Sequence, residues 1–162
     1  MKELFADAER GLADARIDES EREQGSSFPE DFKQYLREIN GGWLRDSADF
    51  QFGEGHVTAA RCLLGFNPSS KRDIGKKQAN MDYVPPQLLP IGEDLGGADV
   101  FVLDLRPETL GRVYIRAINV PPNPKPFLPA SLFVEPDEEA LYHHVADSFS
   151  EFIDMIAGRA RS

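Results

Sequence analysis

The chain reads as a single α+β domain, and three observations predict it. An apolar stripe over residues 29–39 stops at Asn40-Gly41-Gly42. Leu88 to Leu105 holds a short apolar strand, an acidic turn closed by two glycines, and a strand in which Val100, Val102 and Asp104 alternate with Phe101, Leu103 and Leu105. A second capped stripe starts at Ser148, so helical patterns bracket a strand-rich centre. The 162 residues are one domain's length. A domain of that size buries about two-thirds of its unfolded surface and needs no staples.

Leu4, Phe5, Ala8, Leu12 and Ala15 share one side at helical spacing, so residues 2–22 are expected to form a loose helix. Gly11 weakens it by about 1 kcal/mol relative to Ala. Glu19 to Ser27 is polar and reads as a frayed end or linker. Pro29 suits a first helical position, and Glu30 and Asp31 meet the positive end of the helix dipole. Phe32, Tyr35, Leu36 and Ile39 form the stripe, and Asn40-Gly41-Gly42 supplies a left-handed stop.

Past Trp43 the period changes. Asp49 to Phe52 alternates weakly, Val57 to Phe66 suits a strand or a short helix, and Ser69 to Gln78 reads as an exposed loop or short helix. Pro85-Pro86 breaks the chain before the Leu88–Ile91 strand. Ala98 to Leu105, the turn at Arg106 to Gly111, and Arg112 to Ile118 form a hairpin pattern. Five prolines between residues 121 and 129 predict a stiff extended surface segment, a spacer rather than a docking ligand. Leu141 to Ala146 suits an edge strand. Ser148 and Glu151 then make a capping box for a helix carrying Phe149, Phe152, Ile153 and Ile156, with Arg159 and Arg161 at its end.

Charge and cysteine usage restrict the function. The net charge is −10, with −6 on residues 1–31 and −5 on residues 132–162. Such a field repels nucleic acid and speeds encounter with basic proteins. The sole cysteine, Cys62, forms no internal disulfide, and the first residues lack an apolar signal-peptide core. No apolar run is long enough to span a bilayer. A soluble cytoplasmic protein is expected, with no membrane contact and no direct nucleic-acid contact. CxxC, HExxH and phosphate-cradling glycine motifs are absent, so no metal and no cofactor are expected.

Each candidate residue carries a structural and a functional reading. Cys62 reads as a small buried hydrophobe, or as a nucleophile with His56 as the local base. His143 and His144 point to opposite faces if they lie in a strand, so they do not converge on one ion. Glu93, Asp94 and Asp99 either bind nearby N–H groups in the turn or face basic residues of a partner. Trp43 is core, or an interface anchor if exposed near the acidic turn. Glu135, Asp137 and Glu138 belong to an acidic run that is either a solvated helix start or a steering patch. Lys71, Arg72, Lys76 and Lys77 form a basic cluster that reads as an exposed loop.

The ordered set Pro29-Glu30-Asp31-Phe32-Lys33, Asn40-Gly41-Gly42-Trp43, Leu89-Pro90-Ile91-Gly92-Glu93-Asp94 with Gly96-Gly97, Gly111-Arg112-Val113-Tyr114, and Ala146 to Phe152 resembles the SUKH superfamily. That superfamily includes a fungal cell-wall-synthesis regulator and many bacterial immunity proteins. The resemblance implies helices packed on a mainly antiparallel or mixed sheet. Residues 28–162 would form the SUKH-like domain, and residues 1–27 an acidic helical extension before it. The proline-rich segment departs from the family's usual shape as well. The resemblance also implies a non-catalytic immunity protein that binds a basic toxin domain, often a nuclease. Its partner-binding residues would be Trp43, Glu93, Asp94, Asp99, Glu135, Asp137 and Glu138. The alternatives are a housekeeping interaction module with an endogenous partner and a small enzyme built on Cys62 and His56.

Overall fold

The computed structural model describes residues 1–158. Arg159 and Arg161, expected to close the last helix, lie outside the described residues. Seven strands form one sheet in the order of the chain: β1 (Phe5–Ala8), β2 (Gly42–Phe52), β3 (His56–Leu63), β4 (Leu88–Asp94), β5 (Val100–Asp104), β6 (Val113–Arg116) and β7 (Tyr142–Ala146). Every neighbouring pair is antiparallel, so the sheet is a curled meander. The helices are α1 (Asp14–Gln24), α2 (Glu30–Glu38), α3 (Ile74–Ala79) and α4 (Phe149–Ile156).

The helix expected over residues 2–22 is corrected. Lys2–Leu4 is one 3-10 turn, Phe5–Ala8 is an edge strand, and α1 starts only at Asp14. Tertiary pairing overrides the weak helical period here. Glu9 donates its N–H to Gly41 and Leu12 donates to Leu36, both at 2.8 Å, so the segment lies along α2 and its stop. Gly11 permits the contact, because a Cβ there would sit 1.8 Å from the Arg37 carbonyl oxygen.

The other helices follow their local signals closely. Pro29 is the N-cap of α2, so the helix starts at Glu30, one residue later than expected. At the stop, Asn40 takes φ 54° and Gly41 takes φ 100°, and both Ile39 and Asn40 donate to the Tyr35 carbonyl. The Ser148 hydroxyl accepts from Glu151 N–H at 3.0 Å, and the Glu151 carboxylate accepts from Asp147 N–H at 2.7 Å. Asp31 ties the two helix starts together by accepting from Ser150 N–H at 2.8 Å and from its hydroxyl at 3.0 Å.

The alternation in β5 separates two cores. Phe101 and Leu103 enter the larger one, where Phe152 of α4 meets Phe50 at 5.3 Å and Phe101 at 5.1 Å, and Phe149 meets Phe32 and Tyr35 of α2 at 5.1 Å each. Aromatic pairs at such separations add about 0.5–1.5 kcal/mol beyond area burial. Val100 and Val102 enter a smaller core with Met81, Leu88, Tyr114, Leu128 and Tyr142. Val84, Leu132, Phe133 and Leu141 pack against this second core, so the segments before β4 and before β7 cover it.

Candidate functional site

A line of registered residues crosses the sheet: Asp7, Trp43, Cys62, Glu93, Val100, Arg116 and Tyr142, one from each strand in order. Residues directly opposite one another share a face. The line therefore brings Trp43 and Glu93 into one row with Arg116, which the sequence reading did not single out.

At one end of the row, Trp43 is half-buried against the edge of the larger core. The Arg61 guanidinium lies 4.1 Å from its ring centroid and that of Arg72 lies 5.3 Å away. Arg72 is held in turn by Glu9 at 2.6 Å and Asp7 at 3.5 Å. In the middle, Glu93 pairs with Lys77 of α3 at 3.0 Å. At the far end, the buried Arg116 guanidinium covers the Tyr83 ring at 3.7 Å and faces Glu138 at 3.5 Å.

The acids of the glycine turn have partners inside the fold. Asp94 accepts from Asp99 N–H at 3.1 Å, and Asp99 accepts from Ile118 N–H at 3.3 Å. Asp99 is buried, and this desolvation pushes its carboxyl above the ordinary 3.8, partly opposed by the Ile118 N–H. The structural reading of the turn expected such N–H partners for all three acids; Asp94 and Asp99 have them, and Glu93 pairs with Lys77 instead.

The second acidic run is placed differently. Glu135 and Asp137 are exposed, and Asp137 takes φ 65° at the start of a 3-10 turn over Glu138–Leu141. Glu135 and Glu138 line a groove of about 510 Å³ with Asp82, Tyr83, Val84, Pro85, Pro86, Leu132, Phe133 and Val134. Tyr83 is 41% exposed and Val134 is 98% exposed on its margin. Trp43 and the glycine-turn acids are not among its lining residues. The sequence reading missed Tyr83, Val134 and Arg116. The signal for Arg116 was present, because strict alternation in Val113-Tyr114-Ile115-Arg116 puts it on the Tyr114 face of β6.

The profile of the SMI1 / KNR4 family (SUKH-1) matches residues 11–155. The chain belongs to this family. A search among curated proteins finds no match.

In this SUKH-1 protein the nucleophile reading of Cys62 has little chemical support. Burial, followed by the nearby Glu93 charge, pushes its thiol up to about 11, so it stays protonated at neutral pH. Among the described residues, no group of three His, Cys, Asp or Glu side chains is placed to hold a metal ion. No described helix is long and apolar enough to cross a membrane.

The adjacent histidines diverge, as strand geometry predicts. His144 packs by Tyr114 and Phe127 and meets Asp147 at 2.8 Å. His143 is buried against Phe52 at 5.1 Å, with His56 at 6.4 Å, and neither of its ring nitrogens has a hydrogen-bond partner. Burial first, then the His56 charge, pushes the His143 imidazole below its ordinary 6.5. The unfolded chain then binds a proton that the folded chain refuses, so stability is full above pH 6.5 and falls as the pH drops toward the lowered value. His143→Phe is expected to flatten this dependence, which thermal melts between pH 7.5 and 5 check. Equal slopes for both proteins would show that His143 does not titrate this way.

Proposed function

We propose that this SUKH-1 protein is an immunity protein that binds a toxin domain in the cytoplasm and neutralises it by occlusion, without chemistry. The observation that carries the reading is the family match over residues 11–155 on a chain of net charge −10. A toxin that grips phosphates needs a basic cleft, and an acidic binder is its electrostatic complement. Among the residues expected to meet the partner, Glu135 and Asp137 are exposed and have no ion pair among the described residues, so they make first contact. Glu138 lies behind them on Arg116. Glu93, Asp94 and Asp99 shape the adjoining turn, and Trp43 backs the other end of the same row.

The test is co-expression with the product of the gene that neighbours this chain's own. The expected result is a stable complex, suppressed toxin activity, and affinity that falls steeply with salt. Glu135→Lys with Asp137→Lys is expected to slow association by about tenfold at low ionic strength. A neighbouring gene product that is neither bound nor inhibited would overturn the reading and favour a housekeeping interaction module.

A further inference from the structure

We propose that the groove between residues 82–86 and 132–138 is an anchor site for an arginine side chain on the surface of a protein partner. This deepens the immunity reading and rests on it for the identity of the partner. Four features of the groove support it.

The first is charge. Asp82 and Glu135 line the groove and, among the described residues, take part in no ion pair or hydrogen bond, while Glu138 shares Arg116. The lining therefore holds three carboxylates and no basic residue, and Arg116 faces only Glu138, so the site is left short of positive charge. The second is an unfilled acceptor. Glu138 Oε2 is buried with no hydrogen-bond donor, because Arg116 stands 3.5 Å away, and the Nε of Arg116 has no acceptor either. The pair is loosely made, so Arg116 offsets the charge of Glu138 only in part.

The third is aromatic. Trp43 carries two guanidinium groups within cation–π range, those of Arg61 and Arg72. Tyr83 carries only Arg116, and it lines the open groove with 41% of its surface exposed. The fold already stacks paired arginines on one ring, and Tyr83 has room for its second. The fourth is apolar. Val84, Pro85, Pro86, Leu132 and Phe133 offer walls for a methylene stem. Arginine suits the site better than lysine because its planar group stacks and forks, whereas an ammonium is a strongly hydrated point charge. The occupant belongs to a protein rather than to a free small molecule, because Tyr83 and Val134 are both exposed on the margin of the groove and a surface extending past it would cover them together.

The probe is a blocked tetrapeptide with a central arginine, titrated into the isotope-labelled full chain by amide NMR. Its citrulline and lysine analogues serve as controls. The expected result is saturable shifts at Tyr83, Val134 and Glu135 with millimolar affinity, and at least about tenfold weaker binding of the citrulline peptide. Glu135→Gln is expected to weaken the arginine peptide by about tenfold with unchanged thermal stability, since its side chain bonds nothing in the fold. Equal binding of arginine and citrulline peptides, shifts confined to another surface, or no saturable shift would each overturn the proposal. Free arginine amide binding as tightly as the peptide would overturn its protein-surface part. Neutralisation assays on the product of the neighbouring gene separate this proposal from the reading beneath it. If the toxin is neutralised equally by the natural chain and by the Val134→Ser, Glu135→Gln double variant, the groove proposal falls and the immunity reading stands. If the toxin is not neutralised at all while the arginine peptide fills the groove, the immunity reading falls and the groove stands.

Discussion

Asp104→Ala is expected to lower stability by about 3–5 kcal/mol, the usual result of removing one member of a buried charge pair. Asp104 closes β5 and is fully buried. Its Oδ1 accepts from Arg106 N–H at 3.0 Å and from Arg106 Nε at 3.1 Å. Its Oδ2 accepts from Arg106 Nη2 at 2.9 Å and from the Thr109 hydroxyl at 2.7 Å. One carboxylate thus ties both Arg106 and Thr109 of the connection from β5 to β6, beside the backbone bonds between Asp104 and Gly111 and Arg112. Without it, the mostly buried Arg106 retains only Glu108 at 3.9 Å, and the Thr109 hydroxyl loses its acceptor. Asp104→Asn keeps one carbonyl acceptor but turns an NH2 group toward donors, so an intermediate loss is expected. Urea unfolding at pH 7 checks both, read as a shifted midpoint at unchanged slope. A loss below about 1 kcal/mol for the alanine variant would mean that the loop holds itself by its backbone alone.

Arg116→Ala is expected to cost about 2–4 kcal/mol, combining a loosely made buried pair with a lost cation–π contact. Arg116 sits on β6 in the row that crosses the sheet, and it touches both segments that cover the smaller core. Tyr83 precedes β4, and Glu138 precedes β7. Removing the guanidinium frees the two segments from each other. Amide hydrogen exchange is expected to accelerate at residues 82–86 and 132–138 beyond what the global stability loss explains. Arg116→Lys restores the charge but not the flat group over Tyr83, so less than half of the loss is expected to return. Exchange that rises uniformly across the chain would show that Arg116 acts on overall stability and not on these segments.

The accuracy of the sequence reading tracks the range of the forces behind each element. Helices α2 and α4 were legible because their stripes, stops and caps lie within a few residues of one another. The hairpins of β4, β5 and β6 were legible because alternation and glycine turns are also local. Residues 2–22 were misread because the backbone groups of Phe5–Ala8 find partners on β2, far along the chain. The candidate site was legible only in its composition. The acidic runs were visible, but the partner of each carboxylate was not. Asp99 meets Ile118, Glu93 meets Lys77, and Glu138 meets Arg116, through strand register together with the packing of the segments around the sheet. Shifts in that register between Trp43 and Ala48, Ala60 and Cys62, and Pro90 and Gly92 change which side chains share a face, and alternation alone does not reveal them.

The amino-acid order alone settled the family motifs, the class of fold, the charge and the two well-capped helices, because short-range preferences and net charge are additive along a chain. Folding decided which acids remain exposed. It withdrew Asp99 from solvent, left Glu135 and Asp137 exposed, and set Tyr83 beside Val134 across about fifty residues. The reason is that a carboxylate's availability depends on the donors near it in space, and strand register and loop packing, not sequence distance, choose those neighbours.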